Sequence, residues 1–249
     1  MRRSFLALTA LALVSGCSGN GGHEDGGGTV TVLAAASLAD VFDRLAERFR
    51  AENPGVDLRI SYGGSDGLAA AVTQGAPADV FAAAAEEQMA VVTGAGLASE
   101  PEIFAGNVLT IAVPEGNPAG ITGLADFARE DLTLAVCAPE VPCGAAAEEL
   151  LGIAGVQARP DTYEEDVRAA LNKVGLGEVD AALVYATDVA ARPDRVDGVE
   201  VPEADSVVND YPVAVLDDAP NRAAARAFVE LLLSDVGQQV LTEAGFRAP

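Results

Sequence analysis

The sequence predicts an α/β protein of parallel strands covered by helices, and three observations carry that prediction. Short apolar runs alternate with helical patterns from Thr29 onward. In the first helical pattern Leu38, Val41, Phe42, Leu45 and Phe49 share one face, the stripe of a helix packed on a sheet. The 249 residues are half hydrophobic, which excludes disorder and suffices for a large core.

In chain order the strands are expected at 29–34 ("TVTVLA"), 56–61 ("VDLRIS"), 79–84 ("DVFAAA"), 108–113 ("VLTIAV"), 132–137 ("LTLAVC"), 180–185 ("DAALVY") and 211–216 ("YPVAVL"). The helices between and after them are expected at 38–51, 66–74, 86–94, 123–128, 144–154, 164–173, 186–191, 219–233 and 235–244. Pro/Gly-rich stretches at 114–120 and 192–203 read as loops. No repeat of fixed period is present. Periodicity alone leaves open one doubly wound sheet or two smaller ones.

The N-terminal segment is a targeting signal rather than part of the fold. "MRRSFLALTALALVSGC" has an Arg-Arg start and an apolar stretch too short to span a bilayer. Val14-Ser15-Gly16-Cys17 resembles the lipobox of bacterial lipoproteins, with an ordinary secretory signal as the alternative. Residues 1–16 are thus expected to be removed and Cys17 lipidated, with more than one acyl chain anchoring the protein stably to a membrane. Residues 17–28, rich in glycine, read as a flexible tether.

Charge and inventory exclude several function classes. The net charge of −23 repels nucleic acid and anionic membrane surfaces. The sole histidine, His23, lies in the tether, so no Ser-His-Asp or Cys-His arrangement is available. The sole lysine, Lys173, is not in a phosphate-binding G-x-x-x-x-G-K-[ST] loop. Acidic neighbours such as Glu164-Glu165 and Asp217-Asp218 are expected by chance in so acidic a chain. Catalysis is not expected. Cys137 and Cys143, six apart with two prolines between them, are expected to pair in an exported protein, with free buried thiols as the alternative.

What remains is a set of strand-to-helix joints made of small or hydroxylic residues. Ser37 stands at the joint of "LAAASLADVF", Ser65 in "SYGGSDGLAAAV", and Cys143-Gly144 opens "GAAAEELL". Each joint exposes backbone N–H groups at the positive end of a helix dipole, where an anion can sit. Capping is the competing account: Ser37 with Asp40 fits a capping box, and Ser65 or Asp66 fits an N-cap.

Taken together, "AAASL", "GGSDGLAAAVTQGAPADVFAAA", "VPCG", "EEDVRAAL", "ALVYATDVA", "YPVAVL" and "LTEAGF" resemble, in the same order, the bacterial molybdate-binding proteins. These are the extracytoplasmic solute-binding components of molybdate ABC importers. The resemblance covers roughly 29–246. It implies a type II periplasmic-binding-protein fold with a ligand cleft between two α/β lobes, one of residues 29–108 and 211–249 and the other of 109–210.

It also implies that molybdate or tungstate is held by Ser37, Ser65, Cys143, Val167 and Tyr185. The hydroxyls and backbone N–H groups of Ser37 and Ser65, the N–H groups of Cys143 and Val167, and the Tyr185 phenol would be the donors. Cys143 falls where the family has the alanine of "VPAG", a departure harmless to a backbone contact. The implied partners are a membrane permease and its cytoplasmic ATPase, and the implied state is a monomer with no cofactor. Sulfate and phosphate are the alternative ligands; a phosphate site would profit from an acceptor such as Asp66 or Asp166. Ferric iron is disfavoured because Tyr62, Tyr163, Tyr185 and Tyr211 are scattered along the sequence.

Overall fold

The structure, a computed structural model, describes residues 27–249. The signal segment, Cys17 and all but the end of the tether lie outside the described residues. The first half-turn of chain alternates strand and helix: β1 (Gly28–Ala35), α1 (Ala39–Glu52), β2 (Val56–Gly63), α2 (Ser65–Thr73), β3 (Val80–Ala82) and α3 (Glu86–Gly94). A 3-10 turn, Ala36–Leu38, joins β1 to α1. Then follow β4 (Glu102–Pro114), β5 (Leu134–Cys137), α4 (Pro142–Ile153), β6 (Thr162–Glu164), α5 (Val167–Gly175), β7 (Ala181–Tyr185), α6 (Ala186–Ala190) and β8 (Val196–Val199). The chain closes with β9 (Val208–Val215), α7 (Arg222–Leu233) and α8 (Asp235–Glu243).

The strands run in the order β2-β1-β3-β9-β4-β7-β5-β6, with β8 beside β4. β1 pairs in parallel with β2 and β3, and β5 in parallel with β6 and β7. The long strand β4 divides its pairing. Residues Glu102–Val108 pair with β9, while Leu109–Ala112 pair with β7 and Ile111–Pro114 with β8, all antiparallel. Two curled half-sheets therefore share one strand, each covered by helices. This is the two-lobed α/β architecture.

The sparse aromatics are concentrated in the first half-sheet. Phe42 and Phe49 of α1 both pack edge-on against Phe228 of α7, with ring centroids 5.7 and 5.6 Å apart. Phe42 continues to Phe104, Phe104 to Tyr211, and Tyr211 to Tyr185 and Phe246. Each fully buried Phe contributes about 1.5–3 kcal/mol through removal of apolar surface from water. The string runs from the back of α1 to the end of β7, so core packing reaches the joint at Tyr185.

Several element limits differ from the sequence reading. The 192–203 stretch is not all loop: Val196–Val199 forms β8, because Val196 is buried and the strand finds an edge on β4. Strand β6 was also not anticipated, and β4 begins at Glu102, six residues earlier than expected. A bulge between Ile103 and Ala105 breaks the alternation that would have marked that early part. The 123–128 helix is a 3-10 turn, Leu124–Ala128.

Candidate functional site

Ser37 lies in the 3-10 turn after β1, and its Oγ is 2.9 Å from the Tyr211 hydroxyl. The capping reading of Ser37 is corrected: the residue before α1 is Leu38, and no side chain caps that helix. Asp40 does not reach back to close a capping box; its carboxylate is bound by Arg168 and Arg192. Tertiary partners won over a local cap that needed only the neighbouring backbone.

Ser65 is the first residue of α2, preceded by Gly64, and again no side chain caps the helix. The Ala84 N–H donates to Ser65 Oγ at 3.0 Å. With that lone pair occupied, the hydroxyl proton is free to point elsewhere. The Ala84 carbonyl accepts from Asn209 Nδ2 at 3.0 Å, so β9 holds the peptide next to the one whose N–H orients Ser65. Gly64 has a steric reason: a Cβ there would lie 2.5 Å from the Glu165 carbonyl, which approaches from the other half-sheet.

Cys143 is the second residue of α4, after Pro142 at the favoured first position. It is bonded to Cys137 at the end of β5, with Cα atoms 5.7 Å apart. The bridge ties the start of α4 to the strand before it. Val167 opens α5, whose preceding Asp166 accepts from the Ala169 N–H at 2.8 Å. Tyr185 ends β7 at the start of α6. Its phenolic oxygen is buried with no hydrogen-bond partner.

These five residues line a single cavity, with Ala35, Ala36 and Gly64 completing much of its wall. All five are buried. Within the cavity the centre of a water-sized sphere has only about 10 Å³ to move in. That is too little room for a sugar or peptide and leaves space for a compact group only.

The starts of α2, α4 and α5, the 3-10 turn before α1 and the short α6 converge on it. First-turn N–H groups have no acceptor within their own helix, so the cavity is rich in donors, with Asp166 the one carboxylate in its wall. Among the described residues no lysine or arginine lines it, and no cluster of three or more His, Cys, Asp or Glu is placed to hold a metal ion. No helix among them is long and apolar enough to cross a membrane.

The ionisable groups around the cavity are tuned by burial. Burial raises the Tyr185 phenol well above its usual range, assisted by Tyr211 and Asp188, and raises Tyr211 as well. Both stay protonated, as donors must. Beneath them Asp188 accepts from the Tyr185 N–H at 3.1 Å, while its other oxygen is buried without a partner. Burial pushes the Asp188 carboxyl up to about 7, against the lowering effect of Arg168.

Tyr211, Asn209, Asp188 and Arg168 were not singled out from the sequence. Tyr211 and Asn209 sit in "NDYPVAVL", which offered a strand and part of the resemblance but no role for either side chain. Their contacts span more than a hundred positions, beyond any local signal.

Residues 30–247 match the model of the bacterial extracellular solute-binding protein family. The chain belongs to that family. Within it, the chain is similar to the molybdate-binding protein ModA of Mycobacterium tuberculosis (strain ATCC 25618 / H37Rv), at 41% identity over 97% of this chain and 93% of the relative. The solved periplasmic molybdate-binding protein of Azotobacter vinelandii superposes with a TM-score of 0.76 at 20% identity, covering 88% of this chain and 99% of that one. The sulfate-binding protein SubI of Mycobacterium tuberculosis H37Rv gives 0.77 at 24% identity, covering 88% and 86%. Both superpositions show the periplasmic-binding-protein fold. Residues 1–18 match the prokaryotic membrane lipoprotein lipid attachment site, so this family member is exported and lipid-anchored at the outer face of the cell membrane.

Proposed function

We propose that the chain captures molybdate, and tungstate as well, for an ABC importer. The observation that carries this is the convergence of hydroxyl and helix-start N–H donors on one small, cation-free cavity in a chain 41% identical to a molybdate-binding protein. A dianion without a proton needs donors only, and Ser37, Ser65, Cys143, Val167 and Tyr185 are assigned that role. Hydrogen bonds to a charged group contribute about 1.5–3 kcal/mol each. A handful, less the cost of association and closure, reaches the −8 to −12 kcal/mol of a micromolar-to-nanomolar binder.

The lobes are assigned as 29–108 with 211–249, and 109–210; the divided pairing of β4 supports a boundary near Val108. Cys17 is the lipidated residue, and the protein acts as a monomer that delivers its ligand to a membrane permease driven by a cytoplasmic ATPase. It is a binding protein and not an enzyme.

Sulfate is the second reading, because the fold is shared with a sulfate-binding protein. Only cavity size separates two such dianions. Phosphate fits less well: Asp66 is not among the cavity residues, and Asp166, which is, has one oxygen committed to the Ala169 N–H of its own helix. Ferric iron fits less well too. The scatter of tyrosines in sequence was misleading, since the Tyr185 and Tyr211 rings meet edge-on with centroids 5.9 Å apart, but both phenols are held protonated and Tyr211 is bound to Ser37.

Calorimetry of the chain with molybdate, tungstate, sulfate and phosphate tests the assignment. Tight binding of the first two is expected; tight sulfate or phosphate binding with silence toward molybdate would sink it.

A further inference from the structure

Two arginines converge on one carboxylate beside the cavity. Asp40 lies in the first turn of α1, Arg168 follows Val167 in α5, and Arg192 follows α6. Arg168 Nη2 donates to Asp40 Oδ2, and Arg192 Nη1 donates to both Asp40 oxygens at 3.3 and 3.4 Å. Arg168 has a second contact: its Nε donates to the Ala36 carbonyl at 3.2 Å. That carbonyl also accepts from the Ala39 N–H.

Ala36 and Ser37 both line the cavity. The peptide between them is planar and trans, so its N–H points opposite to its carbonyl. With the carbonyl held by Arg168 on one side, the Ser37 N–H is aimed at the other, toward the cavity. A cation on a carbonyl oxygen also polarises the peptide and strengthens its N–H as a donor.

We propose that Arg168 is a positioning residue that couples the cavity to closure: one guanidinium holds both the donor peptide Ala36–Ser37 and the Asp40 carboxylate of the opposite lobe, with Arg192 as a second strut. An isolated exposed ion pair contributes little. Here the Arg168 side chain is only 21% exposed, and its partners belong to a different lobe, so the contacts exist only when the lobes meet. The forked guanidinium suits the double role, because an ammonium presents no fixed pair of donors. The inference takes its ligand from the oxyanion reading above and adds the residue that governs release.

Release of radiolabelled molybdate, followed by rapid filtration of the lipid-anchored chain in detergent, tests it. Arg168→Met is expected to release about tenfold faster, with association changed less than about threefold. Asp40→Asn accelerates release less, and the double variant falls short of the product of the two single effects because both lose the Arg168–Asp40 contact, any excess over Arg168→Met coming from the Arg192 strut. Arg168→Lys recovers part of the loss, and melting temperatures stay close to wild type. A second readout needs no ligand: amides of residues 35–39 exchange hydrogen faster in Arg168→Met than in wild type. Wild type that ignores molybdate yet shows this exchange difference overturns the molybdate assignment and supports the positioning role. Equal release and equal exchange, or fully additive effects of the two substitutions, overturn the positioning role.

Discussion

The hydroxyls of Ser37 and Tyr211 lie 2.9 Å apart, joining residues separated by 174 positions. If Tyr211 donates, Ser37 is left with its own proton to offer to the cavity, so Tyr211 decides what Ser37 can do. Tyr211→Phe keeps the ring among Phe104, Tyr185 and Phe246 and removes only the hydroxyl. A neutral hydrogen bond contributes about 0.5–1.5 kcal/mol, so molybdate affinity should fall roughly two- to tenfold. Calorimetry on a variant with an unchanged melting temperature checks this.

Direct donors should cost more. Ser37→Ala and Tyr185→Phe each remove a hydrogen bond to a charged ligand, about 1.5–3 kcal/mol, hence a loss of at least about tenfold in affinity. Stability should respond differently. Tyr185 Oη is buried without a protein partner, so removing it leaves ligand-free thermal stability equal or higher. A Tyr185→Phe variant that melts lower and binds as before would contradict the assignment of its hydroxyl.

The Cys137–Cys143 bridge closes a short loop beside the cavity, and loop closure of this length stabilises by about 2 kcal/mol in the chain-entropy account. Cys137→Ser with Cys143→Ala should lower the melting temperature, as should reductant. Affinity should fall less than tenfold, because Cys143 contributes a backbone N–H. A loss as large as that of Ser37→Ala would show that this N–H is aimed by the bridge.

Asp188 sets a pH dependence. Its carboxyl is buried facing Tyr185 and Tyr211, with Arg168, Arg192 and Asp40 in its field, and titrates near 7 instead of its usual 3.8. Between these values the folded chain holds a proton that the unfolded chain has lost. The contribution is fully present below about pH 4 and disappears as pH rises through about 7. Stability should therefore decline over that window, and Asp188→Asn should flatten the decline. Thermal melts of both proteins from pH 4 to 8 compare the slopes; parallel curves would place the titration elsewhere.

Strand-helix alternation was legible wherever an element was long and strongly patterned. The amphipathic α1 is displaced by a single residue from its expected range. Strand β8 was hidden because Asp197-Gly198 has the composition of a turn and becomes a strand only on the edge offered by β4. The cavity residues were legible through motifs, but the roles of their hydroxyls were not. A serine before a helix always invites a local cap; that Ser65 instead receives the Ala84 N–H depends on β3 and α2 meeting in space. Likewise nothing near Asp40 in sequence announces two arginines arriving from beyond residue 160.

β9 lies between β3 and β4. The sheet begun by β1, β2 and β3 thus has an empty slot until the chain has been made as far as residue 215. Strands β5, β6 and β7 need no such late arrival, so the middle of the chain can fold while its beginning waits. The half-sheet that holds the first strand is thus the last to be completed, and the open edge of β3 must be kept from pairing with a neighbour until β9 arrives.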